Sequence, residues 1–311
     1  MDVQGHGKKP GAKITQWEYV GGGNQMWEVM EREEGVISLR SVHSKLFLDL
    51  PNGSKAPEVN AQIWEENDSN AEKWRIEPKD GPWFYIRSMA SDQVLGVFHM
   101  NQENGTPITQ WDKPGSADHF WRFEPVGTRV GEWVSADIGR VSKSGDTLLN
   151  GGSLTMTANS GDVSGNEDSF RFTFQEVDGD FDLSARMLRS VDVEDYNKMG
   201  LMVRSGAVPS APGVFVALAP RKGVNQQVRT KGGGEFSETS RIAEVKTPCW
   251  LKLSRRGEEF STFYSTNGVN WIQIGSAKVP IHKETTVGLA ASSQHHKAFT
   301  AEFDQIVLSK P

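Results

Sequence analysis

NQMWEV (24–29), AEKWRI (71–76) and DHFWRF (118–123) place one tryptophan at the head of a strand-like segment three times, at intervals of 47 residues. A second column, Trp17, Trp64 and Trp111, keeps the same interval, and so do the positions Asp2, Asp49 and Gly96. Shorter matches lie between them: LRS (39–41) answers IRS (86–88), and WRIEP (74–78) answers WRFEP (121–125). Two tryptophan columns in register across three copies are a structural period, and a period of this length signals a repeat architecture. Within a copy, short alternating segments such as ISLRSV, LFLDL, AQIW and KWRIEP are separated by turn-rich PNGSKAP and ENDSN, the pattern of short strands with no helical period. Four short strands per copy, three times over, predict a closed all-β barrel with pseudo-threefold symmetry, because closure removes the edges such strands would expose. Trp27, Trp74 and Trp121 sit on the last strand of each copy and are expected in the core. Trp17, Trp64 and Trp111 lie beside turns, as surface stackers or as hairpin packing.

Gln25-Met26-Trp27 fits the Gln-x-Trp signature, and residues 1–126 resemble the ricin-type β-trefoil lectins, with MDV…GAKITQW…NQMW and LDL…NAQIW…AEKW as units. The resemblance implies carbohydrate binding, with each unit judged separately because such lectins commonly lose one or two pockets. A sugar needs an apolar face for its C–H surface and polar groups for its hydroxyls. In unit one the set is Asp2, Trp17, Asn24 and Gln25. The resemblance implies that Asp2 and Asn24 bond adjacent hydroxyls while Trp17 stacks on the ring, and Thr15 stands where the family often has glutamine. Unit two offers Asp49, Gln62 and Trp64, with Ala71-Glu72 in place of Asn-Gln. Unit three has Gly96 in the aspartate column and Asp118-His119 in the Asn-Gln column, so Trp111 alone is not expected to bind. Unit one, where alone Asn24-Gln25 survive, is therefore the pocket to test first, with galactose- or xylose-type sugars as plausible ligands. Capping of the following turns is the alternative role for Asp2 and Asp49. The opening strand of unit one would fall before Met1, which predicts a chain truncated at its N-terminus, or a gap filled by residues 127–135.

From residue 127 the 47-residue period stops while alternation continues, in SFRFTFQEV (169–177), FDLSARMLRSV (181–191), GVFVALA (213–219), WLKLSRR (250–256), TVGLAAS (286–292), FTAEFDQIVLS (299–309) and others. Phe170, Phe172 and Phe174 are expected on one face and Arg171 and Thr173 on the other, as in a half-buried strand. Asp178-Gly179 and Asn267-Gly268 read as hairpin turns. About ten strands predict a two-sheet sandwich. The order GNEDSFRFTFQEVDGDFDLSARM…NKMGLMVRSG…VGLAASS…AEFDQI resembles uncharacterised bacterial concanavalin-like jelly-roll modules, often attached to polysaccharide-active or surface proteins. The expected architecture is thus all-β, a β-trefoil (1–126) followed by a concanavalin-like β-sandwich (127–311). A concave sheet carrying Arg186, Lys198, Arg204, Gln226 and Trp250 is a candidate glycan surface in the second domain.

No Glu-x-Asp-x-x-Glu spacing of the laminarin type occurs in residues 127–311, and the arginine, glutamine, histidine and tyrosine set of alginate lyases is incomplete there. VDVEDY (191–196) reads as a solvated loop. Adjacent His295-His296 would point to opposite faces of a strand, KGGGEF (231–236) lacks the helix and lysine of a phosphate loop, and STNGVNW (265–271) is a hairpin turn. Neither a cofactor nor a metal is expected, and a single cysteine, Cys249, allows no internal disulfide. A formal charge of −6 without a basic stretch argues against nucleic acid, and no apolar run approaches the roughly 20 residues of a spanning helix. The expected function is non-catalytic carbohydrate binding at the cell surface or outside the cell. A polysaccharide lyase or hydrolase targeted by the trefoil is the first alternative. A structural or protein-interaction module with degenerate pockets is the second.

Overall fold

The structure is a computed structural model that describes all residues except 82, 113, 114, 125, 160, 192–194, 282, 283, 295 and 296. The chain divides into two compact units, Met1–Pro125 and Val126–Pro311.

The first unit is built from short strands at the 47-residue interval. Unit one contributes Asp2–Val3, Ile14–Thr15 and Trp27–Glu33, and unit two Val36–Ser41, Phe47–Asp49, Gln62–Trp64 and Trp74–Pro78. Unit three contributes Phe84–Ser88, Val94–Val97 and Ile108–Trp111, and closes with a single bridge between Phe84 and Trp121. The register repeats with the sequence: Asp2 pairs with Thr15, Asp49 with Gln62 and Gly96 with Thr109. So do the hydrogen bonds that tie one unit to the next, from Gly11 N–H to Ile63, Glu58 N–H to Gln110 and Gly105 N–H to Gln16. Residues 5, 52 and 99 all take positive φ (60°, 56° and 52°), a conformation that glycine tolerates freely and asparagine more readily than most residues.

One core runs through the three units, from Val3, Ile14 and Leu39 through Leu48, Ile63 and Trp74 to Ile86, Leu95 and Ile108. Trp74 is fully buried, and Trp27 and Trp121 are partly buried against it. Each indole N–H donates to the carbonyl 26 residues upstream, Met1 at 3.3 Å, Leu48 at 3.1 Å and Leu95 at 3.0 Å. A large apolar ring with one satisfied donor can sit in a core without leaving a polar group unpaired. That is why the same residue recurs three times.

The second unit is a sandwich of an eight-stranded and a seven-stranded antiparallel sheet. The first runs, in spatial order, Thr128–Val130, Trp133–Ile138, Phe170–Asp178, Glu284–Ser292, Lys198–Arg204, Gly213–Ala219, Gly223–Arg229 and Ser237–Ile242. The second runs Asp146–Asn150, Ser153–Ala158, Phe299–Ser309, Phe181–Val191, Cys249–Arg256, Glu259–Ser265 and Ile272–Lys278. Residues 128–130 and 133–138 therefore pair within the sandwich rather than beside unit one.

Leu183, Leu201, Val216, Leu251, Leu289 and Phe303 fill the space between the sheets. Alternation then places Phe172, Phe174, Met202, Phe215 and Ala290 on the outer face of the eight-stranded sheet, yet all five are buried as well. The expectation of a half-buried strand at 169–177 is corrected: Phe170 to Phe174 are buried on both sides. On the inner side the Ser135 hydroxyl lies 2.7 Å from Thr173 Oγ1 and 2.6 Å from Thr147 Oγ1, and Arg171 donates to Thr147 at 3.1 Å. Polar residues tolerate this burial because each finds a partner.

Candidate functional site

The threefold columns converge differently in each unit. In unit one, Asp2, Thr15 and Asn24 are buried together, Asn24 Nδ2 donates to Asp2 Oδ2 at 2.8 Å, and Trp17 stands 49 % exposed. In unit two, Gln62 Nε2 donates to Asp49 Oδ1 at 2.8 Å and Trp64 stands 41 % exposed. Both exposed indoles rest on a glycine of another unit: a Cβ on Gly105 would lie 3.6 Å from Trp17, and one on Gly11 would lie 3.9 Å from Trp64. Each stacking surface is thus held from below by a hairpin of a neighbouring unit.

Unit three is filled. A Cβ built on Gly96 would overlap the His119 ring and lie 3.0 Å from Trp111. Trp111 packs with Phe98, His99 and His119 at centroid distances of 6.0, 5.6 and 6.1 Å. The space that a carboxylate takes in the other two units holds an imidazole here. Asp118 lies 3.5 Å from His119, whose pKa is lowered, mainly by burial, with the Asp118 charge opposing.

An open cavity lies in unit two. It measures about 540 Å³ and is lined by Asp49, Gln62 and Trp64, by Asn67, Ser69 and Asn70, and by Pro51, Gly53, Ala71 and Ala90 among others. Units one and two differ at one position beside the aspartate. Asn24 fills the floor beside Asp2, whereas its counterpart Ala71 leaves the floor beside Asp49 open. Asn67, Ser69 and Asn70 were not singled out from sequence. Their only signal was the turn-forming string ENDSN, and Val20, which precedes Asn67 by 47 residues, offers no polar counterpart.

Gln25 and Glu72 each anchor a loop. Gln25 accepts from Val20 N–H at 2.8 Å and donates to the Glu18 carbonyl at 2.8 Å. Glu72, fully buried, accepts from Asn67 N–H and, at 2.6 Å, from Asp68 N–H. One column thus performs one task twice, fixing the loop that follows each exposed tryptophan. The second time the anchor is a carboxyl group in place of an amide. Burial, Glu72 next, raises the Asp49 pKa to about 6 against the opposing Gln62 hydrogen bond. Burial also raises the Asp2 pKa, with Gln25, His6 and Asn24 opposing.

Residues 23–111 match the family model described as a ricin-type beta-trefoil lectin domain-like domain, and residues 159–311 match the one described as a protein of unknown function (DUF1349). The ricin-type lectin-like match thus falls within the trefoil and the DUF1349 match within the sandwich. All the residues lining the unit-two cavity fall within the matched part of the trefoil.

Three solved structures illustrate the likeness. A designed threefold-symmetric protein, ThreeFoil, is 25 % identical, with a TM-score of 0.38 over 39 % of this chain and 86 % of its own. A functionally unknown protein from Saccharomyces cerevisiae is 14 % identical, with a TM-score of 0.46 over 57 % of this chain and 96 % of its own. The carbohydrate binding module CBM66 from Bacillus subtilis is 14 % identical, with a TM-score of 0.39 over 57 % and 95 %. No curated protein matches the chain.

In the DUF1349 sandwich, the candidate surface of Arg186, Lys198, Arg204, Gln226 and Trp250 is corrected, because these residues do not share a face. Arg186 and Trp250 are cross-strand partners in the seven-stranded sheet, where Arg186 also binds Asp304 through two hydrogen bonds of 2.7 and 2.5 Å. Gln226 points between the sheets, donating to Thr239 at 2.9 Å and accepting from Thr262 at 2.8 Å. Lys198 is held by Asp162 at 2.6 Å and the Val163 carbonyl at 2.9 Å. Arg204 is fully buried with Arg229, both donating to Asp168, and both reach the Pro209 carbonyl. Segments carrying Val163, Asp168 and Ala211 thereby cover the outer face of the eight-stranded sheet. Among the described residues no group of three or more His, Cys, Asp or Glu is placed to hold a metal ion; His295-His296 and residues 192–194 of VDVEDY lie outside the described residues.

Proposed function

We propose that this chain is a non-catalytic carbohydrate-binding protein whose principal sugar site is the unit-two cavity of the trefoil. The observation that carries the proposal is the meeting of Asp49, Gln62 and the exposed Trp64 around an open cavity. An indole face covers the C–H surface of a pyranose, while a carboxylate held in place by Gln62 accepts hydroxyl hydrogen bonds. Unit one, with Asp2, Asn24 and Trp17, is the secondary site, and a glycan reaching both would bind with higher avidity. The lectin-like family match of residues 23–111 supports the reading.

A glycan array followed by titration calorimetry tests it. The wild type is expected to bind at least one saccharide class, Asp49→Ala to lose most of that affinity and Asp2→Ala to lose little. Absence of binding by the wild type would overturn the proposal.

A further inference from the structure

A second cavity, of about 720 Å³, opens at the edge of the eight-stranded sheet of the sandwich, between the turn 220–222 and the segment 241–246. The turn joins Gly213–Ala219 to Gly223–Arg229, and Gly223 takes a φ of +85°. A Cβ there would lie 2.2 Å from the Ile242 carbonyl oxygen, so glycine is what lets the two segments meet. Arg241 closes the contact by donating to the Lys222 carbonyl at 2.9 Å. Arg221, Lys222, Arg241 and Lys246 line the cavity together with one acidic residue, Glu244, in a chain whose formal charge is −6. Two of the cations are tied to carboxylates, Arg221 to Asp195 at 2.7 Å and Arg241 to both oxygens of Glu238. Lys222 instead lies 3.4 Å from the centre of the Tyr196 ring, which holds an ammonium group without neutralising it. Lys246 is exposed, and among the described residues it has no carboxylate partner.

We infer that this cavity binds an acidic saccharide, a sugar chain bearing carboxylate or sulfate groups, at a site of the sandwich itself. The inference does not rest on the sugar-site reading of the trefoil. Cations on both walls of one cleft concentrate a positive potential there, and a ligand of opposite charge is drawn to it even though the chain as a whole is acidic. The cations belong to two separate segments, so a chain with several anionic groups engages more of them than a single small anion does. Glu244 on the same lining repels a bare anion but accepts a hydrogen bond from a hydroxyl, and a sugar brings hydroxyls along with its charge. Pro220 and Val245 give the apolar surface against which the C–H groups of a pyranose pack. Lys222 and Lys246 are assigned the anionic contacts, Arg241 is held by Glu238 as the fixed wall, and Glu244 selects for hydroxyls.

Titration of the full chain with oligogalacturonate, heparin-derived oligosaccharides, neutral malto-oligosaccharides, polyglutamate and inorganic sulfate tests the inference, each at low and at moderate salt. One of the two acidic saccharides is expected to bind at least about ten-fold more tightly than the neutral one, and to weaken as salt rises; which of the two binds better assigns carboxylate or sulfate. The double variant Lys222→Gln/Lys246→Glu is expected to lose about ten-fold or more of that affinity, whereas Lys143→Glu, an exposed substitution outside the cavity, is expected to lose little. Asp49→Ala is expected to leave acidic-saccharide binding unchanged, which separates this site from the trefoil. Glu244→Ala is expected to weaken the acidic saccharide about three-fold or more, through the lost hydroxyl acceptor, and thermal melts confirm that the variants are folded. No binding of either acidic saccharide at low salt would overturn the inference, as would equal losses in the cavity variant and in Lys143→Glu. Sulfate or polyglutamate bound as tightly as the saccharide, or tighter saccharide binding by Glu244→Ala, would overturn the assignment to a sugar. None of these results bears on the trefoil reading, which stands or falls with Asp49→Ala on the glycan array.

Discussion

Asp49 is the residue whose environment has the most direct consequence. Its folded-state pKa, about 6, lies above the ordinary 3.8, through burial first and the Glu72 charge second. Between these values the native state holds a proton that the unfolded chain has released. The Asp49 contribution therefore makes the protein more stable in acid, and this advantage is lost as pH rises from about 4 through about 6. Sugar binding runs the opposite way, because the ionised carboxylate is the hydrogen-bond acceptor. Affinity is expected to be flat above about pH 7 and to fall by up to about ten-fold for each unit below about pH 6. Calorimetry between about pH 5 and about pH 7.5 checks this; an affinity equally insensitive to pH in the wild type and in Glu72→Gln would refute it. Glu72→Gln is expected to move the midpoint downward, since it restores the neutral anchor seen at Gln25.

At the scale of the hairpin, the three units are the same device with different contents. Each pairs its aspartate-column residue with the residue thirteen positions on, and each hangs an exposed or packed tryptophan two residues later. Unit three exchanged its carboxylate for Gly96 and placed the His119 ring in the vacated volume. Gly96→Asp is expected to destabilise the fold by about 1–3 kcal/mol, the range for overfilling a packed site. His119→Gln introduced with it should recover much of that loss, so a double-mutant cycle by thermal unfolding should show coupling. Additive effects would mean that His119 does not occupy the carboxylate's space.

At the scale of the whole molecule, two cores of different kinds stand in one chain. The trefoil has an apolar core with three capped indoles and buries its carboxylates, Asp2, Asp49 and Glu72, on amide donors, whereas the sandwich buries an ion-pair cluster: Asp168 lies between Arg204 and Arg229 at 2.5 and 2.7 Å. Burial lowers the Arg204 pKa, and Asp168 opposes that shift. Removing the carboxylate leaves two guanidinium groups uncompensated, a change that costs about 3–5 kcal/mol in such settings. Asp168→Ala is expected to lower the unfolding temperature of the sandwich while trefoil sugar binding, measured by titration at moderate temperature, persists. Loss of both together would show that the two units do not melt separately.

The 47-residue period, the all-β class and the strands 181–191, 213–219 and 299–309 were legible in the sequence, because core indoles and alternating residues recur wherever a strand must bury one face. Pocket candidates were legible as columns for the same reason. Which column opens was not. It depends on which side chain takes the volume beside the aspartate column, Asn24 in unit one, the small Ala71 in unit two or the His119 ring in unit three, and on loops whose turn-forming letters do not show where their side chains point. Arg204 and Gln226 were misplaced because a charged or amide residue on a strand reads as solvent-facing until its partners are known. Asp168 lies 36 residues from Arg204 and Thr262 lies 36 from Gln226. The sequence by itself determined the repeat and the two architectures, since periodicity is local and survives without coordinates. Only the tertiary structure decided that unit two is open, unit three is filled and the sandwich face is covered, because each follows from side chains distant in the chain competing for one volume.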